Sequence, residues 1–486
     1  MASSWATSSV DLHLDLTGPR VRASLETALR DAVQSGRLAP GTRLPSSRAF
    51  ALDLGIARNT VADAYAQLVA EGWLATRHGS GTWVADRTAR TAPVPAAPVP
   101  AAPVPGTPGT HIRYDLRSGM PDVSAFPRSA WLAAARRALA TAPHEALGYA
   151  DPRGLPQLRA ALAGYLSRAR GVAVTDERIV VCSGFAQGLE LLCEVLRTKG
   201  AATLATEAYG HSRHRRIATA RGLRLTTLNV DAGGASVDGL NRADAVLLTP
   251  AHQFPLGMPL EPSRRRQAVE WASRTGAIII EDDYDGELRY DRAAVGAMQA
   301  LAPEHIVYAG TASKSLAPGL RLGWLVLPAK LAGDVVAAKA TLGRLSSSLD
   351  QLTLAEFISS GAYDRQLRCA RLAYRHRRDR LVAALRQQAP RVRITGIAAG
   401  LQALVELPDG LREDDLVARA AQRGLAIEGL TTYTVPGHQH RQAIVVGYAT
   451  PPAHAFTAAV GVFCRVLAAA SAGSPADRPP SVGAPL

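Results

Sequence analysis

The sequence predicts an α/β protein in two modules: a small winged helix-turn-helix, then a long domain on a mainly parallel sheet. Three observations carry that prediction. The stretch TAPVPAAPVPAAPVPGTPG, residues 91–109, has neither charge nor aromatic residue and repeats Pro-Val-Pro-Ala-Ala. Before it, three helical periodicities lead into a strand, a glycine-rich turn and a strand. After it, short apolar runs bounded by turns alternate with helical stretches, the pattern of a sheet covered on both faces.

Proline removes backbone donors and favours extended geometry, so 91–109 reads as a semi-stiff spacer. The expected organisation is a winged helix-turn-helix over 11–86, a Pro/Ala-rich linker over 87–112, a large domain over 113–468, and a disordered tail over 469–486. In the first module, residues 19–36 place Val21, Leu25, Ala28, Leu29, Ala32 and Val33 on one helical face, and Gly36 supplies the stop. Ser47 is expected to cap a short helix through Leu54, turned by Gly55. A third helix starts near Arg58 and faces Val61, Ala64, Tyr65 and Leu68 inward. WLATRHGSGTWVA then reads as a two-stranded wing.

In the long module the buried-strand candidates are RIVVC (178–182), ATLAT (202–206), AVLLTP (245–250), AIIIEDDY (277–284), IVYAG (306–310) and GWLVLP (323–328). Ligands of such sheets bind beyond the carboxyl ends of the strands, so the polar residues there hold the candidate site. Gly184, Phe185 and Ala186 open a helix after RIVVC, where free N–H groups and the helix dipole favour an anion. Asp282 and Tyr284 end AIIIEDDY. Thr311, Ser313, Lys314 and Arg321 follow IVYAG.

Lysine is scarce among the 55 cationic side chains: only Lys199, Lys314, Lys330 and Lys339 occur. An amine condenses with an aldehyde and a guanidinium does not. A lysine accompanied by a phosphate cradle, a strand-end carboxylate and a following arginine fits pyridoxal 5′-phosphate (PLP). The four cysteines lack metal-ligand spacing and read as reduced thiols of a cytoplasmic protein. No metal is expected. No apolar run is read as long enough to cross a bilayer, and no signal peptide is read at the N-terminus. The net charge of +14 does not come from the 11–86 segment, whose eight arginines match eight acids. It comes from runs such as RHRR (213–216), RRR (264–266) and RHRRDR (375–380), read as solvated helix faces.

The motifs LPSSR, GIARNTVADAYAQLVAEGWL and RHGSGTWV resemble the winged helix-turn-helix of the GntR family. The resemblance implies DNA contacts from Arg43, from Arg48 at the phosphate backbone, from Arg58, Asn59 and Thr60 at the start of the third helix, and from Arg77, His78 and Gly79 in the wing. LGYADPRGLPQLRAALAGYL, TPAHQFPLG, EDDYDGELRY and GTASKSLAPGLRLGW resemble the fold-type I aminotransferase domain, with its smaller C-terminal α/β subdomain. The two together resemble the MocR family, from about residue 11 to about 465.

The family implies Lys314 as the Schiff-base lysine, Asp282 at the pyridinium nitrogen and Tyr284 at the phenolic oxygen O3′. It implies Arg321, Thr311, Ser313 and the 184–186 backbone at the phosphate, and Tyr149 at the neighbouring subunit's phosphate. It also implies a homodimer, with each DNA-binding head over its partner, bound to double-stranded promoter DNA. PLP itself, or an amine or amino acid, would be the effector. Two positions depart from the pattern. His211 stands where many members stack an aromatic ring on the cofactor, and Arg441 is the one candidate for the substrate carboxylate, at an offset spacing. A working aminotransferase with an appended DNA-binding module, and a scaffold that binds neither PLP nor effector, are the alternatives.

Overall fold

The structure, a computed structural model, describes residues 21–77, 81–86, 112–290 and 295–472. Its contacts divide the chain into two units, Met1–Gly106 and Thr107–Leu486.

In the first unit, α1 (Val21–Gln34), α2 (Ser47–Leu54) and α3 (Arg58–Ala70) precede the antiparallel pair β1 (Leu74–Arg77) and β2 (Gly81–Val84), with Leu74 opposite Val84. The inward face of α3 is Val61, Ala64, Tyr65 and Leu68, as its periodicity requires. These pack with Leu25, Leu29 and Ala32 of α1 and with Leu38, Leu44, Phe50, Leu74 and Val84 in one core. Val21, expected on the inward face of α1, is exposed. The cap of α2 is Ser46 and not Ser47: the Ser46 hydroxyl accepts from the Ala49 N–H at 3.2 Å. Gly55 ends that helix in the left-handed region, φ 66°, which glycine adopts without steric cost.

The second unit begins with β3 (Tyr114–Asp115), α4 (Arg128–Thr141) and α5 (Pro156–Arg170). Then follow β4 (Ile179–Cys182), α6 (Phe185–Thr198), β5 (Thr203–Glu207), α7 (Ser212–Ala220) and β6 (Arg224–Leu228). After the small pair β7 (Val230–Asp231) and β8 (Gly234–Ala235) come β9 (Ala245–Leu248), α8 (Pro262–Thr275), β10 (Ile278–Asp282), β11 (Ile306–Thr311) and β12 (Gly323–Val326). These build a seven-stranded sheet in the order β4-β12-β11-β10-β9-β5-β6. It is parallel throughout except β12, which runs antiparallel to both neighbours. All six strands expected from the sequence are present. β6 escaped because Arg224, Thr226 and Thr227 interrupt any apolar run.

The chain continues through α9 (Ala329–Leu342), α10 (Ser348–Ser359), α11 (Ala362–Gln388), β13 (Arg393–Thr395), β14 (Gln402–Glu406), α12 (Glu413–Ala421), β15 (Leu425–Ala426), β16 (Glu428–Gly429), β17 (Ala443–Gly447) and α13 (Ala453–Ala472). A second sheet, β13-β14-β17-β16, is antiparallel and forms the C-terminal subdomain. α13 corrects two expectations. Residues 469–472, assigned to the tail, are its last turn; 473–486 lie outside the described residues. It also contains a stretch long and apolar enough to cross a bilayer, Ala453–Ser471, which the sequence reading did not register. That stretch packs Phe456, Ala459, Phe463, Cys464 and Leu467 into the main core, as a core helix does.

The arginine runs are less solvated than expected. Arg377 is buried, donating to Asp122 Oδ2 at 2.6 Å and to the Ala449 and Pro451 carbonyls. Arg264 pairs with Asp231, and Arg265 holds the Leu260 and Pro250 carbonyls.

Candidate functional site

The strand order sets the place. The carboxyl ends of β4, β5, β9, β10 and β11 meet at a pocket of about 220 Å³, lined among others by Gly184, Glu207, Thr249, Asp282, Thr311, Lys314 and Arg321. The register brings Asp282 beside Ala309, Thr311 beside Gly323, and Gly323 beside Cys182, the residue just before Ser183-Gly184.

At one end, α6 starts on Gly184 (φ 91°) with no side chain capping it. The first-turn N–H groups of a helix have no intrahelical partner and carry the positive end of its dipole. A Cβ at Gly184 would come within 3.6 Å of Arg321 Nη1, so the guanidinium sits against this helix start. Arg321 holds φ 53°, and among the described residues it is the only non-glycine at positive φ. Such a conformation costs about 1–3 kcal/mol and persists where the surroundings impose it. Thr311 Oγ1 accepts from the Ser313 N–H at 3.1 Å and lies 2.9 Å from Ser313 Oγ. Helix start, Arg321, Thr311 and Ser313 together make a cradle for a dianion.

In the middle stands Lys314, whose Nζ donates to the Gly119 carbonyl. Burial pushes its ammonium pKa down, and Asp282 and Asp285 oppose that. Burial also pushes Asp282 well above the usual carboxylate range, with Lys314 pulling the other way. A buried carboxyl raised this way keeps its charge only beside a cation, such as a protonated ring nitrogen. His211 is stacked on Phe254, centroids 4.3 Å apart and planes 20° apart. Desolvation, then Lys314 and Arg215, lower its pKa to about 4, so it is a neutral ring at physiological pH. Tyr284 lines the pocket as a neutral phenol: burial and Asp285 raise its pKa well above 10.

The structure thus brings Lys314, Asp282, Tyr284, Arg321, Thr311, Ser313, Gly184, Phe185, Ala186 and His211 into one pocket. It does not bring Tyr149 or Arg441 there. Tyr149 is fully exposed. Arg441 lies on the surface with its side chain 73% accessible, 3.3 Å from Glu406. It lies two residues before β17, outside the strand, so the alternation of β17 does not carry its side chain inward. Of RHRR, Arg213 and Arg215 line the pocket and so are not a free helix face.

The sequence reading missed Gly119, Glu207, His214, Phe254 and Gln402 in the lining. Glu207 is buried; Thr249 donates to it at 2.6 Å, and desolvation raises its pKa to about 7. The motif TPAHQFPLG contained the signal for Phe254, which it placed beside the site without assigning it. Gln402 and Gly119 come from sequence-distant segments with no motif of their own.

In the first unit, Arg43, Arg48, Arg58 and Asn59 are exposed and Thr60 is half-buried. Arg43, Arg48 and Arg58 have no carboxylate partner among the described residues, whereas Arg22 and Arg30 pair with Glu26 and Glu71. α3 begins at Ala57-Arg58 without a side-chain cap, which leaves its positive end open to phosphate. Arg43 is partly committed: its guanidinium lies 5.7 Å over the Trp83 ring of the wing. Arg77 ends β1; His78 and Gly79 lie outside the described residues.

A reading helix with free cations in one unit and an amine pocket at parallel strand ends in the other define a class: a helix-turn-helix module joined to an aminotransferase-fold domain. Residues 114–442 match the family described as aminotransferase class I and II, and residues 22–84 match bacterial regulatory proteins of the gntR family. The chain is 34% identical over 417 residues to the HTH-type pyridoxine biosynthesis transcriptional regulator PdxR of Corynebacterium glutamicum, covering 85% of this chain and 88% of that one. It is 34% identical to the probable rhizopine catabolism regulatory protein MocR of Rhizobium meliloti, over 81% of this chain and 83% of that one. Among solved structures it is similar to LysN, the α-aminoadipate aminotransferase of Thermus thermophilus, complexed with N-(5′-phosphopyridoxyl)-L-leucine. That match has a TM-score of 0.66 and 25% identity, over 74% of this chain and 92% of that one. An archaeal alanine:glyoxylate aminotransferase shares the fold at TM-score 0.67 and 24% identity, over 73% of this chain and 90% of that one. The chain belongs to the MocR family of HTH-type transcriptional regulators.

Proposed function

We propose that this chain is a PLP-dependent, DNA-binding transcription regulator whose aminotransferase-like unit senses rather than turns over its ligand. The observation that carries the reading is the convergence of Lys314, Asp282 and the Arg321–α6 cradle in one pocket. Bound there, PLP supplies an aldehyde that captures amines. Lys314 is placed to hold it, Asp282 to face its ring nitrogen, and Arg321, Thr311, Ser313 and the first N–H groups of α6 to hold its phosphate. His211 offers a neutral ring as a stacking wall. The relative named for pyridoxine biosynthesis regulation, and the position of Arg441 outside the pocket, favour PLP itself as the signal. An amine or amino-acid effector is the second reading, favoured by Arg213 in the lining, which has no carboxylate partner among the described residues; Arg215 beside it is committed to the Gly210 and Thr434 carbonyls.

The reading includes promoter DNA under α3 and the wing, and a homodimer in the cytoplasm. Tyr149 is fully exposed, and Leu132 and Leu139 stand seven residues apart on α4, exposed like Leu147, Leu345 and Leu349. Surfaces of this kind call for a partner, and a second copy would bring Tyr149 to its neighbour. Borohydride reduction of the PLP-treated protein followed by peptide mapping tests the core of the proposal. Label on Lys314 is the expected result, and an unlabelled chain contradicts it. Rapid multiple turnover with an amino acid and a keto acid would replace the regulator with an enzyme.

A further inference from the structure

The phenolic oxygen of Tyr284 lies 3.0 Å from Gln402 Nε2 and 3.1 Å from His252 Nδ1, with the Asp285 carboxylate as a third neighbour. The amide nitrogen of Gln402 only donates. His252 Nδ1 also lies 2.8 Å from Asp285 Oδ2, and both side chains are buried, 2% and 1% accessible. A ring nitrogen offers either one proton or one lone pair. A buried carboxylate at 2.8 Å demands the proton, and the partner of a histidine nitrogen fixes its tautomer. His252 Nδ1–H is therefore committed to Asp285 and does not accept from Tyr284. The pair is locked in place by Gly400 (φ 73°), where a Cβ would come 2.3 Å from Asp285 Oδ2 and 2.5 Å from His252 Cε1. The phenolic oxygen meets a donor on the Gln402 side and a proton-bearing nitrogen on the His252 side. Asp285, the remaining acceptor beside the phenol, has its Oδ2 taken by His252, so the Tyr284 proton is free to point into the pocket, which Tyr284 and Gln402 both line.

We infer that Gln402 and His252, the latter held by Asp285, are positioning residues that aim the Tyr284 proton at the ligand's phenolic oxygen. The inference rests on PLP as the ligand. The charged and titratable groups that face Tyr284 are Asp282 and Asp285 from its own segment and His252 from the TPAHQ turn; Lys314 lines the same pocket. Gln402 joins them from β14 of the C-terminal subdomain. A donor at the phenolic oxygen draws its negative charge away from the proton on the lysine-linked nitrogen, which then leaves at lower pH. Diverting the Tyr284 proton backwards has the opposite effect.

The test is the pH midpoint of the visible absorbance of the PLP-bound full-length protein. Gln402→Glu keeps the shape and replaces a donor with an acceptor facing Tyr284. It should raise the midpoint by about 1 unit, the worth of one hydrogen bond to a charged group, and so should His252→Phe, which leaves Asp285 free to take the phenol proton. Tyr284→Phe sets the ceiling. Midpoints for Gln402→Glu and His252→Phe equal to wild type would overturn the inference, as would a Tyr284→Phe midpoint equal to wild type. If Gln402→Glu fails to take up PLP, Gln402→Met carries the same test: a smaller upward shift supports the inference and an unchanged midpoint overturns it. A wild-type protein that shows no PLP absorbance at all fails at the underlying reading instead.

Discussion

Arg30 and Arg170 each grip a carboxylate through two guanidinium nitrogens, one in the small unit and one in the large. Arg30 reaches Glu71 at 2.8 Å through both, on the surface, with the two side chains 27% and 28% accessible. Arg170 reaches Asp283 at 2.7 and 3.0 Å in the interior, with accessibilities of 5% and 0%, and Tyr308 donates to the same carboxylate at 2.8 Å. Asp283 is the residue between Asp282 and Tyr284. The small unit thus leaves its cations in water, where Arg48 and Arg58 are available to phosphate. The large unit locks its charges under the pocket, where they fix geometry and meet no outside partner. Function at an exposed surface is additive and salt-screened; function in a buried network is cooperative.

The largest expected effect is complete. Lys314→Ala should abolish borohydride-stable labelling and the visible absorbance of bound PLP, while DNA affinity measured without PLP changes less than about 3-fold, the scatter of independent sites. Loss of DNA binding in that variant would break the separation of the two units. Next is the ion-pair contrast. Arg170→Ala strands a buried carboxylate and should cost the large unit about 3–5 kcal/mol, read as a lowered unfolding transition in calorimetry. Arg30→Ala should move the small unit's transition by no more than about 2 °C. Comparable losses would mean that the two environments do not differ as described. Arg58→Ala should then weaken operator binding about 10- to 100-fold, with unchanged PLP absorbance.

A smaller effect sharpens the comparison through pH. His211 has its pKa lowered to about 4 by burial, so its neutral form is favoured in the fold. Its contribution to stability is present above the ordinary histidine pKa of 6.5 and is lost as pH falls from there through 4. Glu207, raised to about 7, acts in the opposite direction, losing its contribution as pH rises from 4.5 to 7. The stability difference between wild type and His211→Gln should therefore narrow as pH drops from 6.5 to 4, read as denaturation midpoints across that range. The smallest effect is Arg441→Ala: exposed and beside Glu406, it should change PLP affinity less than about 2-fold.

Much of this was legible in the chain because strand ends are marked by local signals. Asp282, Tyr284 and Lys314 sit at or within a few residues of a strand's end, and Arg321 two residues before the next strand, so topology carried them to one place. The inward face of α3 followed from its period. Gln402, Gly119 and the role of His252 were not legible, because they depend on which segments of the second sheet meet the first, and single-sequence periodicity holds no record of that pairing. Arg441 was not placeable for a related cause: it stands before the first residue of β17, where the strand's alternation no longer fixes the direction of a side chain. The arginine runs misled because charge alone does not tell a solvated helix face from Arg377 buried on Asp122.

The most direct measurement is fluorescence anisotropy of the full-length protein on DNA from upstream of its own gene, at fixed salt, without PLP and with saturating PLP. The account predicts that PLP shifts the wild-type isotherm by about 5-fold or more, a coupling of ordinary size, and leaves that of Lys314→Ala where it was. PLP bound by absorbance, with superimposable wild-type isotherms, would contradict PLP as the signal; the same result with amines and amino acids added would contradict coupling between the pocket and the reading helix altogether.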